Sequence, residues 1–220
     1  RRQRQMCIRD RDYTAKNVDS ETIEIFHNGC LLTTIKTQLA GIHNVYNTLA
    51  VVAALNEAGV ELKKLAQYFY PFTGMGRRFQ KVCEFNGITV YDDYAHHPTE
   101  IKAALQAAAS KFGKENVVAV FQPHRFTRLQ SLWKEFLTAF ENAGRVIVTD
   151  VYAASEDSIE GINGENFAAE LSCEYVSGNM QDVARKLMPS LKKGDVVIGL
   201  GAGTITNLGK ELCKLETILR

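Results

Sequence analysis

Two regimes of hydrophobic spacing divide the chain. In the first, the β-prone runs Glu21 to His27 and Leu31 to Lys36 flank Asn28-Gly29, a dipeptide that favours the positive φ angles of a tight turn, and they predict a β-hairpin. From Asn44 to Ala58 the apolar residues Val45, Leu49, Val52 and Ala53 recur at helical spacing, and Gly59 stands where such a helix would end. A second helix is predicted from Leu62 to Phe69, stopping before Pro71.

Beyond Phe72 apolar strands alternate with helical patterns. The predicted strands are Val82 to Phe85, Ile88 to Tyr91 (joined by a second turn dipeptide, Asn86-Gly87), Val117 to Phe121, Arg145 to Thr149, Cys173 to Val176 and Asp195 to Leu200. Helices are expected at Thr99 to Lys111, Leu129 to Asn142, Gly164 to Leu171, Met180 to Leu191 and Thr204 to Leu219. Such alternation requires crossover connections, hence a mostly parallel sheet covered on both faces, a doubly wound α/β fold. The glycine-containing stretch Thr73-Gly74-Met75-Gly76 marks the expected boundary, with one domain at 12–72 and another at 73–220.

Composition adds few constraints. A chain of 220 residues with 45% hydrophobic content is long enough for a substantial core. No apolar stretch approaches the roughly 20 residues that cross a bilayer, and the N-terminus lacks the apolar segment of a signal peptide, so the cytoplasm is the expected compartment. Cys7, Cys30, Cys83, Cys173 and Cys213 are odd in number and scattered, which reads as reduced thiols and neither a disulfide framework nor a zinc site. The formal charge of +1 conceals five arginines against one aspartate in residues 1–11. That opening has no hydrophobic period and is set apart as foreign to the fold. As a basic arm it lacks the interleaved aromatics that nucleic-acid binding calls for, and no nucleic-acid partner is expected.

Ligands of open α/β sheets bind beyond the carboxyl ends of the strands, and three loops in that position are polar. They are Asp92-Asp93-Tyr94-Ala95-His96-His97-Pro98, Gln122-Pro123-His124-Arg125-Phe126-Thr127-Arg128 and Gly201-Ala202-Gly203. The Asp and His pairs raise a metal-site reading, as in a metal-dependent hydrolase. Adjacent residues on an extended strand point to opposite faces, however, so at most one of each pair can face a common ion. The alternative is that Asp93 caps a turn and His97 enters a helix ahead of Pro98. Arg125 and Arg128, three apart at a helix start, suit a carboxylate or a phosphate. GLGAGT lacks the last glycine of a dinucleotide fingerprint and reads as close packing of helix on strand. Upstream, Asn44 and Asn47 share one face at a helix start, where carboxamides can read the edge of adenine or cap the helix.

GIHNVYN, GMGRRFQ, DDYAHHPTEI and FQPHRFTR, in this order and spacing, resemble the Mur ligase family, and the last two resemble its branch that uses L-alanine. The resemblance runs from about Asp12 to Leu219. It implies a Rossmann-like C-terminal domain preceded by the end of a central ATPase domain, and an ATP-dependent ligation of L-alanine to UDP-N-acetylmuramate through an acyl phosphate, in peptidoglycan precursor synthesis. By the same resemblance His43, Asn44 and Asn47 hold adenine, and Arg78 and Asp93 reach the ribose and phosphates of ATP. Tyr94, His96, His97, His124, Arg125 and Arg128 line the site where alanine meets the activated sugar, with His96, His97, Arg125 and Arg128 expected to be catalytic.

No G-x-x-x-x-G-K-[ST] phosphate loop occurs in these residues, so the primary contacts to ATP phosphates and Mg2+ are expected elsewhere, and the fragment alone is expected to be inactive. Thr204, after the GAG turn, departs from the acidic or amide residue of many family members. Two readings remain beside the alanine ligase: a recycling ligase that attaches an intact tripeptide to the same sugar, and a non-catalytic nucleotide-binding module.

Overall fold

The computed structural model describes residues 12–219 apart from residues 20, 40, 41 and 73; the side chains of His43 and Leu219 also fall outside the described residues. Residues 1–11, expected to be foreign to the fold, lie outside them as well. The chain divides into two compact units at Met75/Gly76.

The first unit holds a three-stranded antiparallel sheet, β1 (Tyr13–Asn17), β2 (Thr22–His27) and β3 (Cys30–Lys36), in that order. Asn28 and Gly29 have φ of 49° and 78°, the two positive angles that the hairpin turn demands. β1 was not anticipated, because Tyr13 and Ala15 alone give its five residues too short an apolar alternation to register. Helix α1 (Ile42–Glu57) follows, then the single turn α2 (Leu62–Leu65), which tightens into a 3-10 turn over Ala66–Tyr68. Ile23, Ile25, Ile35, Val45, Val52 and Leu62 form its core.

The second unit is built on a six-stranded sheet: β4 (Gln80–Phe85), β5 (Ile88–Asp93), β6 (Val117–Phe121), β7 (Arg145–Thr149), β8 (Glu174–Val176) and β9 (Val196–Leu200). Their spatial order is β4-β5-β9-β6-β7-β8, and only the β4–β5 hairpin is antiparallel. The expected doubly wound, mostly parallel sheet is present. β6 and β9 are buried at every position, as central parallel strands covered on both faces must be. Alternation along β6 splits the core: Val117, Ala119 and Phe121 face one cluster with Phe136 and Phe167, and Val118 and Val120 face another with Val183, Leu187 and Leu212.

Helices α3 (Pro98–Phe112) and α6 (Gly164–Leu171) pack into the first cluster, α7 (Met180–Leu187) and α8 (Leu208–Leu219) into the second. α3 starts where its signals say. The His97 side chain accepts from the Thr99 amide, Glu100 returns a bond to the His97 backbone, and Pro98 occupies the first turn.

Three helices are shorter than their apolar period suggests. The one expected over Leu129 to Asn142 starts earlier and breaks into α4 (Phe126–Ser131) and α5 (Trp133–Leu137), with Leu132 at φ −116°, ψ 21°. The Thr138 hydroxyl donates to the Glu135 carbonyl, a local bond that competes with helix continuation. Pro189 turns the end of α7 into a 3-10 turn, Met188–Ser190, and Thr204–Asn207 forms another before α8. The thiol expectation fails at one pair. Cys83 of β4 and Cys213 of α8 are joined in a disulfide with Cα atoms 6.8 Å apart, a proximity hidden by a sequence separation of 130. Cys30 and Cys173 are free.

Candidate active site

The parallel register brings the strand ends to one level. Asp93 pairs with Leu200, Leu200 with Phe121, and Phe121 with Val148, so the loops after β5, β6, β7 and β9 leave the sheet side by side. This is the crevice in which the three polar loops were expected to converge.

The two adjacent aspartates at the end of β5 diverge as strand geometry requires. Asp93 is buried and accepts from the Phe79 amide through Oδ2 (2.7 Å) and the Ala95 amide through Oδ1 (2.8 Å). Burial pushes its pKa up, against the lowering pull of those amides and of Arg78. Asp92 turns instead to Arg77, whose Nε donates at 3.0 Å, and to the Thr206 hydroxyl at 2.7 Å, both at Oδ2. Arg77 also donates to the Gly201 carbonyl at 2.6 Å and lies 4.9 Å over the Tyr94 ring. One guanidinium thereby ties together the strand end, the GAG turn and the loop after β5. Arg77 and Phe79 adopt positive φ (61° and 47°), a backbone cost that persists only where the surroundings over-determine it. Here the Asp92 ion pair, the Asp93 bond and the stacking of Phe79 on Tyr91 at 4.5 Å do so. Arg78 is exposed, its guanidinium 5.8 Å from the Tyr94 ring.

His96 and His124 come together, their ring centroids 6.0 Å apart. His96 Nδ1 lies 2.9 Å from the Tyr94 carbonyl oxygen, and its ring meets the Tyr94 ring edge-on at 5.1 Å. Glu100 accepts from the His96 amide and stands 3.6 Å from its ring. Burial raises the Glu100 pKa, but that amide bond, the His96 charge and the His97 amide outweigh it and the net direction is down. His124 Nδ1 lies 3.0 Å from Arg128 Nη1, and the His124 ring stacks on Tyr152 at 5.4 Å. Burial, then the charges of Arg128, His96 and Arg125, hold the His124 pKa below its ordinary value.

Arg125 has φ 71° and would not hold that angle alone. Its amide donates to the Tyr152 carbonyl (2.9 Å), the Tyr152 amide donates to the Pro123 carbonyl (2.8 Å), and Glu156 lies 3.6 Å from its guanidinium. Glu156 also accepts from the Thr127 hydroxyl (2.7 Å) and amide (3.1 Å), which lowers its pKa. Gln122 Nε2 donates to the Thr204 hydroxyl at 2.9 Å, and its Oε1 accepts from the Ile205 amide at 2.9 Å. A methyl group on Gly203 would meet Gln122 Oε1 and Tyr152 Cγ, each at 2.6 Å. Glycine at that point is a packing requirement.

Of the residues singled out in the sequence, Tyr94, His96, His124, Arg125 and Arg128 share one crevice, with Arg78 and Asp93 at its β5 side. His97 caps α3, the alternative open to it from the start. Asn44 and Asn47 stand on one side of the first turns of α1, in the other unit. His43 belongs to that helix, but its side chain lies outside the described residues. Sequence reasoning missed Tyr152, Glu156 and Arg77. The loop after β7 that carries the first two also follows a strand end, so the same rule would have found it.

The crevice combines two arginines, which bind carboxylate or phosphate oxygens, with two imidazoles that can donate or accept a proton. Among the described residues no three His, Cys, Asp or Glu side chains cluster as a metal ion would need. The aspartates are engaged with Arg77, Thr206 and backbone amides, so the donor set here does not fit a magnesium site of its own.

Residues 77–203, more than half the chain, match the family model described as Mur ligase, glutamate ligase domain. A protein of Caldicellulosiruptor bescii named UDP-N-acetylmuramate–L-alanine ligase is 47% identical over 184 residues, covering 81% of this chain and 40% of that one. The crystal structure of UDP-N-acetylmuramate–alanine ligase from Thermotoga maritima superposes with a TM-score of 0.73 at 26% identity, covering 97% of this chain and 47% of that one. A murein peptide ligase of Psychrobacter arcticus shares the fold, with a TM-score of 0.67 at 19% identity over 93% of this chain and 44% of that one. The chain spans less than half the length of each of these three proteins.

Proposed function

The chain belongs to the Mur ligase family, and from that membership we propose that it is the C-terminal part of an ATP-dependent ligase joining L-alanine to UDP-N-acetylmuramate in peptidoglycan precursor synthesis, acting in the cytoplasm. The observation that carries the reading is the crevice beyond β5, β6, β7 and β9, where Tyr94, His96, His124, Arg125 and Arg128 converge. The 47% identity to a protein named for this activity supports it. Among the described residues no helix is long and apolar enough to cross a membrane.

In this reading ATP phosphorylates the muramoyl carboxylate, and the alanine amine attacks the acyl phosphate, releasing phosphate and leaving the amide and ADP. Arg125 and Arg128 pair with the alanine carboxylate and offset charge on the reacting phosphoryl group. By the family resemblance Arg78 is assigned to the nucleotide and His43, Asn44 and Asn47 to adenine, while Asp93, buried with its two oxygens accepting from the Phe79 and Ala95 amides, shapes the turn after β5. His97, as the cap of α3, fixes the entry of the helix that carries Glu100. Magnesium and the glycine-rich phosphate loop are assigned to other parts of the full-length protein.

The test is ADP release by the full-length gene product with UDP-N-acetylmuramate and either L-alanine or the intact tripeptide. Turnover with L-alanine is expected, and a preference for tripeptide would assign the chain to the recycling branch instead. Calorimetry of ATP with the 220-residue chain addresses the remaining reading. Tight binding by this part alone would point to a free-standing nucleotide-binding module.

A further inference from the structure

We infer that the two histidines of the crevice are held in opposite tautomers, so that His96 offers a free Nε2 lone pair and takes the proton of the attacking amine, while His124 offers an Nε2–H and can only donate. Each ring is bonded to a partner whose own role is fixed. A backbone carbonyl accepts and never donates, and a guanidinium donates and never accepts. His96 Nδ1 is 2.9 Å from the Tyr94 carbonyl oxygen, with the Glu100 carboxylate 3.6 Å from the same nitrogen. The proton of the neutral ring therefore sits on Nδ1, and the lone pair on Nε2. His124 Nδ1 is 3.0 Å from Arg128 Nη1. That nitrogen must accept, and its proton sits on Nε2.

The charged surroundings of the rings reinforce the difference. Beside His96 stand the Glu100 carboxylate, the Tyr94 ring and His124, so an imidazolium formed there has an anion next to it. His124 is faced by Arg125 and Arg128, is stacked on Tyr152, and has Glu156 as its only acidic neighbour among the groups acting on it. A second proton on His124 would also break the bond from Arg128. With centroids 6.0 Å apart, the two rings can meet one small ligand, one side accepting and the other donating.

The mechanistic half of the inference rests on the alanine-ligase reading. The amine nitrogen attacks the acyl-phosphate carbonyl carbon; the N–C bond forms and the carbonyl electron pair moves to oxygen. The nitrogen, now cationic, passes a proton to His96 Nε2. The oxyanion collapses, the bond from carbon to the phosphate oxygen breaks, and phosphate leaves with that electron pair. The products are the amide, phosphate and a protonated His96, which returns its proton to solvent. His124 Nε2–H joins Arg125 and Arg128 in holding anionic oxygens.

Long-range proton–nitrogen NMR of the 220-residue chain labelled with 15N-histidine reads the tautomers without any substrate. His96 is expected to be protonated at Nδ1 and His124 at Nε2, with Arg128→Ala releasing His124 to a mixture. Finding both rings in one tautomer, or His124 protonated at Nδ1, overturns the assignment. In the full-length enzyme His96→Asn keeps a donor for the Tyr94 carbonyl and removes the acceptor. It is expected to lower kcat by about 10²- to 10⁴-fold with KM for L-alanine little changed, whereas His124→Gln raises KM for L-alanine and keeps kcat within a few-fold. A His96→Asn enzyme that retains kcat refutes the proton-acceptor role. A full-length enzyme that ligates no alanine sinks the substrate reading instead, and the NMR result stands apart from it.

Discussion

Replacing Arg77 by alanine isolates the contact that ties the crevice together. The guanidinium is only 23% exposed and its partner Asp92 only 8%; Asp92 Oδ1 is buried without a hydrogen-bond partner, and Oδ2 would keep only the Thr206 hydroxyl. Removing one member of a buried pair costs about 3–5 kcal/mol, because the other charge stays behind unpaired. The partial exposure of Arg77 places the expectation at the lower end, about 3 kcal/mol. For the roughly 145 residues from Gly76 to Arg220, an unfolding entropy near 2.1 cal/mol/K per residue converts that into a fall in Tm of about 10 °C. Thermal and urea unfolding of the 220-residue chain would measure it. Asp92→Asn removes the charge while keeping the shape, so the double variant is expected to be more stable than Arg77→Ala alone. If the single substitution moves Tm by less than 2 °C (about 0.6 kcal/mol), or if the double variant is the less stable of the two, the ion pair is not what holds these loops.

Three further outcomes follow from the same geometry. Gly203→Ala puts a methyl group against Gln122 and Tyr152 and should cost about 1–3 kcal/mol in urea unfolding; a neutral result would mean that the GAG turn yields easily. His124 has a lowered pKa, so the unfolded chain binds more protons than the folded one just below pH 6.5. Stability supplied by the neutral ring is complete above that pH and lost as pH falls toward the lower folded value. His124→Gln should therefore flatten the decline in unfolding free energy between pH 7 and 5.5, and an unchanged slope would contradict this. On the proposed alanine-ligase reading, Arg128→Ala in the full-length protein should raise KM for L-alanine and leave ATP binding little altered. Kinetics with each substrate varied in turn would check that, and an unchanged KM for alanine would remove Arg128 from the carboxylate site.

Where a signal is local, the sequence carried it. Asn28-Gly29 and Asn86-Gly87 named both hairpins, since two positive φ angles in succession are costly for most other residues. His97 and Pro98 announced the start of α3. The three polar loops could be placed in one crevice from the strand pattern alone, because a parallel sheet puts every strand's carboxyl end on the same side. The breaks at Leu132 and Pro189 left the apolar period intact, so periodicity overran them. What stayed hidden was the wiring between the loops. Nothing distinguishes Arg77 from Arg78, or Asp92 from Asp93, as neighbours in a string of letters. Arg77 reaches Gly201 across 124 positions and Thr206 reaches Asp92 across 114. Such pairings exist only once β9 has been inserted between β5 and β6, and no local period encodes that insertion. Tyr152 and Glu156 were passed over for a different reason, although their loop too follows a strand end. Their loop, VYAASED, has little chemical colour of its own, and its importance comes from the His124 ring and the strained Arg125 backbone that it supports from the neighbouring strand. Chemistry-bearing residues can thus be picked out by type and by their position after a strand. The residues that hold them in place can be identified only from the topology.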